Sequence, residues 1–143
     1  MIDTIVPALE TIIQNVTSFT KMHHYIDIQK NINTTLEKRF SVRPLDIKEI
    51  AGTTQAITYM QDFQVTLCDK YVHENINDIK KRTKVTDLME KWKAVYKEGM
   101  KNRFYVPEIL SCKFARVNKP VIDEDSKTII LVGTMTLLYR ENL

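Results

Sequence analysis

The chain has 143 residues, 43% hydrophobic and 27% charged, with a net charge of +3. That is the composition of an ordinary globular protein, which excludes a disordered or fibrous chain and favours one domain, 1–143, around one core. No stretch approaches the ~20 consecutive apolar residues of a membrane helix, and the N-terminus, with Asp3 and Glu10 around an apolar stripe, has no basic n-region or cleavage site, so the reading is a protein made and used without secretion or membrane insertion. Cys68 and Cys112, the only cysteines, lie in different predicted strands with no CxxC or Cys/His spacing; they read as reduced packing residues.

Ile2, Ile5, Val6, Leu9, Ile12, Ile13 and Val16 recur at helical spacing on one stripe. With Thr4 or Asp3 as N-cap, Pro7 falls in the first turn, where its missing N–H costs little. This helix should end near residues 17–20. Ile28, Ile32, Leu36 and Phe40 repeat every four residues and predict a second helix over about 26–40. Pro44 and the alternation of Val42, Leu45, Ile47 and Ile50 predict an edge strand over 41–52, turning at Gly52 and Thr53.

Residues 54–71 hold the longest two-residue period. Ile57, Tyr59, Phe63, Val65 and Leu67 fall on one face, and Thr58, Asp62, Gln64 and Thr66 on the other; only Gln61 breaks the apolar row. Alternation with β-branched and aromatic residues predicts a half-buried strand of unusual length, at ~3.3 Å per residue. Its natural partner is the run 128–140, where Ile129, Leu131, Gly133, Met135, Leu137 and Tyr139 alternate with a second, partly apolar set. Between them, Thr86 and Asp87 open a predicted helix with Leu88, Met89, Trp92, Val95 and Tyr96 on one face and Gly99 as its C′ stop. Residues 109–117 predict a strand, and 118–126 a hairpin loop. The fold class expected is α+β: a mostly antiparallel sheet of about four strands with two or three helices packed on it.

Catalytic motifs are hard to find. Adjacent His23 and His24 point in different directions and have no ligand partner at a recognised spacing; His73-Glu74 lacks the second histidine of H-E-x-x-H, Asn77 standing in its place. There is no G-x-S-x-G, no G-x-G-x-x-G, and three glycines in all leave little from which to build a phosphate loop. Asp123, Glu124 and Asp125 sit in a predicted hairpin tip, where solvated acids are usual. A distant set such as His73 with Asp69 and Glu74 holds the groups a site would need. The reading is nonetheless no enzyme, no cofactor and no metal.

The strongest charge feature is Lys80, Lys81, Arg82, Lys84, Lys91, Lys93, Lys97, Lys101 and Arg103 against Asp87, Glu90 and Glu98. It reads as a solvated helix face, as a rim meeting an acidic partner, or as a nucleic-acid surface, the last making the chain a small binding or regulatory module. Ile130, Val132, Thr134 and Leu138 form the second face of the last strand. Their partly apolar character asks for a cover, either an N-terminal helix or a neighbouring subunit.

The order of elements resembles the tail terminator and tail-completion proteins of tailed bacteriophages and phage-derived bacteriocin particles. The features that carry the resemblance are the N-terminal helix beginning I-D-T-I-V-P-A-L, the strand Y-M-Q-D-F-Q-V-T-L, the helix containing D-L-M-E-K-W, and the closing strand T-I-I-L-V-G-T-M-T-L-L-Y-R-E-N. A second N-terminal helix departs from that pattern. The resemblance implies a non-enzymatic virion subunit, assembled in the bacterial cytoplasm, that forms a ring, commonly a hexamer, capping the tail tube or joining it to the neck. Its partners would be copies of itself and tail-tube, sheath or neck proteins, with DNA present only as it passes through a lumen. The interface residues expected are Ile130, Val132, Thr134 and Leu138, with Lys80, Lys81, Arg82 and Lys84 as a basic surface.

Overall fold

A computed structural model describes residues 1–22, 37–71, 78–123 and 127–143. The described residues form helix α1 (Ile2–Thr17), strands β1 (Thr20–Lys21), β2 (Arg39–Gly52) and β3 (Ala56–Lys70), helix α2 (Asp78–Asn102), a short turn of 3-10 helix (Arg103–Tyr105), and strands β4 (Ile109–Val117), β5 (Val121–Asp123) and β6 (Thr128–Asn142). The α+β class is as expected. Among the described residues the sheet has six strands where about four were expected, because β1 and β5 are too short to leave a periodic signal; its order is β1-β2-β3-β6-β4, with β5 also on β6. Every pairing is antiparallel except β1 with β2.

The pair β3 and β6 is the spine of the sheet. Their register runs without a bulge from Ala56 opposite Asn142 to Lys70 opposite Thr128. Because side chains alternate across a strand, this ladder puts Phe63, Val65 and Leu67 on one face with Leu131, Met135 and Leu137. All six are buried, in one cluster with Ile5, Leu9 and Ile13 of α1 and Leu88, Trp92 and Val95 of α2. Both helices thus cover the same face, making two layers.

Gln61, the interruption in the apolar row, is buried and satisfied. Its Oε1 accepts a 2.7 Å hydrogen bond from the Tyr139 hydroxyl, and its Nε2 donates to the Leu45 carbonyl at 3.4 Å. Burial pushes the Tyr139 hydroxyl pKa up to about 12, with Glu141 and Tyr59 adding to the rise.

Several boundaries differ from expectation. Helix α1 is capped by Met1, so Pro7 lies inside the helix, and the chain leaves the helix at Ser18 in a left-handed conformation. The helix predicted over 26–40 falls on residues 26–36, outside the described residues, while its last two positions, Arg39 and Phe40, belong to β2 and pair with Cys68 and Leu67. The four-residue apolar repeat failed there because Phe40 is held by cross-strand packing. Helix α2 starts eight residues before Thr86, since Lys and Arg are good helix formers even where no apolar stripe marks the turn.

Gly99 does not end α2; the helix runs on to Asn102. A side chain at Gly99 would bring Cβ to 1.9 Å from the Phe104 ring. Arg103, Phe104 and Tyr105 follow with φ of 50, 53 and 58°, a left-handed turn that costs each non-glycine residue about 1–2 kcal/mol. Full burial of Phe104 and the hydrogen bonds of Tyr105 Oη and Asn102 Nδ2 to Glu98 Oε1 offset that cost. Gly133 plays the matching role on the sheet, because a Cβ there would lie 2.1 Å from Trp92 Nε1. The indole therefore rests directly on the β6 backbone.

Gly133→Ala is expected to destabilise the chain by about 1–3 kcal/mol, the range for forcing an extra methyl group into a packed core. A denaturant titration checks this. An unchanged midpoint would mean that Trp92 does not sit on Gly133.

Candidate functional site

The sheet has two faces, and among the described residues both helices pack on the first of them. Along β6, residues 129, 131, 133, 135, 137 and 139 are buried, while 132, 134, 136 and 138 are half-exposed. Ile130 departs from that pattern. It is buried within the chain, in a small cluster with Cys68 against which Met22 and Val132 pack. Of the four interface positions read from the last strand, Thr134 and Leu138 therefore present surface, Val132 presents part of itself, and Ile130 does not. The cover for this end of the face is supplied in part by Met22, next to β1.

The basic segment looks different once folded. Arg82 is exposed, and Lys80 and Lys81 lie in the first turn of α2. Lys84 reaches down to the sheet, where its Nζ is 3.2 Å from Asp69 Oδ2; the carboxylate side chain is only 5% exposed. The other oxygen, Oδ1, accepts the Lys70 N–H at 2.8 Å. Lys91 pairs with Asp87 and Lys93 with Glu90 on the same helix. Three of the lysines are thus matched by acids of the chain itself.

Of the proposed catalytic groups, His23, His24, His73, Glu74, Glu124 and Asp125 lie outside the described residues. Asp69 is engaged by Lys84. Both thiols are free and buried, on opposite faces of the sheet, since Cys68 pairs with Ile130 and Cys112 with Leu137. Burial pushes each to a pKa of about 12, the wrong direction for a nucleophile. Among the described residues there is no group of three or more His, Cys, Asp or Glu side chains placed to hold a metal, and no helix is long and apolar enough to cross a membrane.

What stands out instead is the pair of sheet edges. Among the described residues no strand pairs with β2 beyond Phe40 on its outer side, and β4 pairs only with β6. Both strands carry bulges, and three of the extra residues are apolar and outward: Leu45 at 38% exposure, Ile50 at 48% and Leu110 at 50%. Ile47, also on β2, is 49% exposed. Bulges usually blunt an edge; these display apolar side chains along it. Beside the β2 edge, an open groove of about 890 Å³ runs between α1 and the sheet, lined by Ile2, Val6, Pro7, Pro44, Ile47 and Tyr59 among others. The alternation of Val42, Leu45, Ile47 and Ile50 predicts the edge strand, but periodicity has no means of locating its bulges.

A scan against models of protein families matches none of them, and a search of curated proteins returns no significant match.

The Lys84–Asp69 pair makes Lys84 a stability residue. Lys84→Ala leaves a buried carboxylate without its ion partner and is expected to cost about 2 kcal/mol, whereas Arg82→Ala should stay within about 0.5 kcal/mol of the parent. Thermal melts of the two variants side by side check this. Equal melting temperatures would show that the pair contributes nothing.

Proposed function

We propose that this chain is a non-enzymatic structural subunit of a phage tail or phage-tail-like particle, one copy of a ring, a hexamer, that caps the tail tube or joins it to the neck. The observation that carries this reading is the pair of dissimilar sheet edges. A closed ring of identical copies needs two different patches on each subunit, each complementary to the other. Edge β2 from Pro44 to Gly52 offers exposed Leu45, Ile47 and Ile50; edge β4 offers Leu110 with Lys113 and Arg116. Joining one edge to the other of the next copy would extend the sheet around the ring and bury all four apolar side chains.

The order of the described elements supports the resemblance: an amphipathic N-terminal helix, a long strand, a helix containing Asp87–Trp92 and a long closing strand. The ion pairs of Lys84, Lys91 and Lys93 count against using α2 as a nucleic-acid surface.

Head-to-tail association has a distinctive mutational signature. Ile47→Lys with Ile50→Lys spoils one edge, and Leu110→Lys spoils the other. Each variant alone is expected to remain a 16.7-kDa monomer, and an equimolar mixture to form a dimer and nothing larger, since one intact edge of each kind remains. Light scattering after size exclusion reads the result. Two variants that both assemble alone, or a mixture that stays monomeric, would contradict the proposal.

A further inference from the structure

The long strands alternate in direction across the sheet, since β2 with β3, β3 with β6 and β6 with β4 all pair antiparallel. Strand β4 therefore runs opposite to β2. If a second copy lays its β2 on this β4 in the same orientation, the antiparallel ladder continues and both copies keep their helices on one side. Register also sets the height at which the copies meet. Lys48, Met60, Leu138 and Ser111 lie in one row across the sheet, so Ile47 on the β2 edge and Leu110 on the β4 edge stand at about the same level. On the helix side at that level the two edges differ. Beside β4, Met100 of α2 is 45% exposed, and with Leu110 it lines a cleft of about 160 Å³ between the end of the helix and the strand. Beside β2, among the described residues, lies the apolar groove under α1, whose lining includes Val6, Pro7, Pro44 and Ile47.

We propose that the groove between α1 and β2 is a socket for a second copy of this chain, filled by Met100 and Leu110 from the corner where α2 meets β4. The inference rests on the ring reading and adds a second layer of contact to it. Area is the reason. Fully burying a Leu or Ile side chain removes about 100 Å² of apolar surface from water, so the half-exposed Leu45, Ile47, Ile50 and Leu110 together offer about 200 Å². A specific interface buries about 800 Å² on each partner, more than half of it apolar. The strand edges alone fall far short, and the layer of helices above them has to supply the difference. Where Ile47 of one copy meets Leu110 of the next, the groove lies on one side of the junction and Met100 on the other. An unbranched thioether side chain adapts to an irregular apolar surface. Charge does not oppose its approach, because the Met1 ammonium at the end of the groove is held between Asp3 and Glu141 at 3.1 and 3.2 Å.

The test links the two sites chemically. Met100→Cys with Pro7→Cys in one chain puts a thiol on the corner and another on the exposed rim of the groove, while Cys68 and Cys112 are buried and stay unreactive. A short bismaleimide is expected to give a ladder of linked species on a denaturing gel, ending at the copy number of the ring, and neither single variant is expected to give one. Met100→Lys leaves both strand edges as they are. It is expected to raise the concentration for half-assembly at least tenfold by light scattering, with the circular dichroism of the monomer unchanged because the side chain is already largely exposed. A double variant that assembles but links no further than the single variants, or Met100→Lys chains that assemble like the parent, would overturn the socket and leave the edge-to-edge ring standing. A parent chain that stays monomeric at every concentration would overturn both.

Discussion

The fifteen-residue ladder between β3 and β6 is the constraint on which the rest of the structure depends. Register in a strand pair has a period of two, so a slip of β3 by one residue would send Phe63 and Val65 to the face away from the helices and bring Asp62 and Gln64 under them, while Leu131 and Met135 of β6 stayed in place. Several features lock it. The Tyr139 hydroxyl meets Gln61, the Thr136 hydroxyl meets Asp62, and Gly133 lies where Trp92 needs bare backbone. Each works in only one register. The core, the docking of α2 and the separation of an apolar face from a polar one all follow.

Most of this frame was legible in the residues. The alternation at 54–71 and 128–140 marked both strands and their pairing, and the stripe from Ile5 to Ile13 marked α1. Legibility failed where local pattern and tertiary context part. Phe40 fits a helical repeat but lies in β2. Gly99 has the look of a helix stop but serves as a seat for Phe104. Leu45 and Ile50 belong to the predicted edge strand, but the bulges that leave them exposed are invisible to periodicity. Strands of two and three residues, such as β1 and β5, have no period at all.

Charge gives the clearest case of information that only folding reveals. In the sequence, the lysines of 80–103 form the visible run, yet Asp69, Asp87 and Glu90 answer three of them. Both helices cover one face of the sheet, and the two edges carry apolar residues of different shape, Leu45, Ile47 and Ile50 on β2 and Leu110 on β4. Two dissimilar edges on one frame are what the proposed ring of identical copies requires.

Native mass spectrometry of the purified chain measures that claim most directly. Closure of a ring through two complementary edges gives a single assembly of fixed copy number, a hexamer, with few intermediates. A monomer at every concentration, or an open-ended ladder of dimers, trimers and higher species, would contradict it.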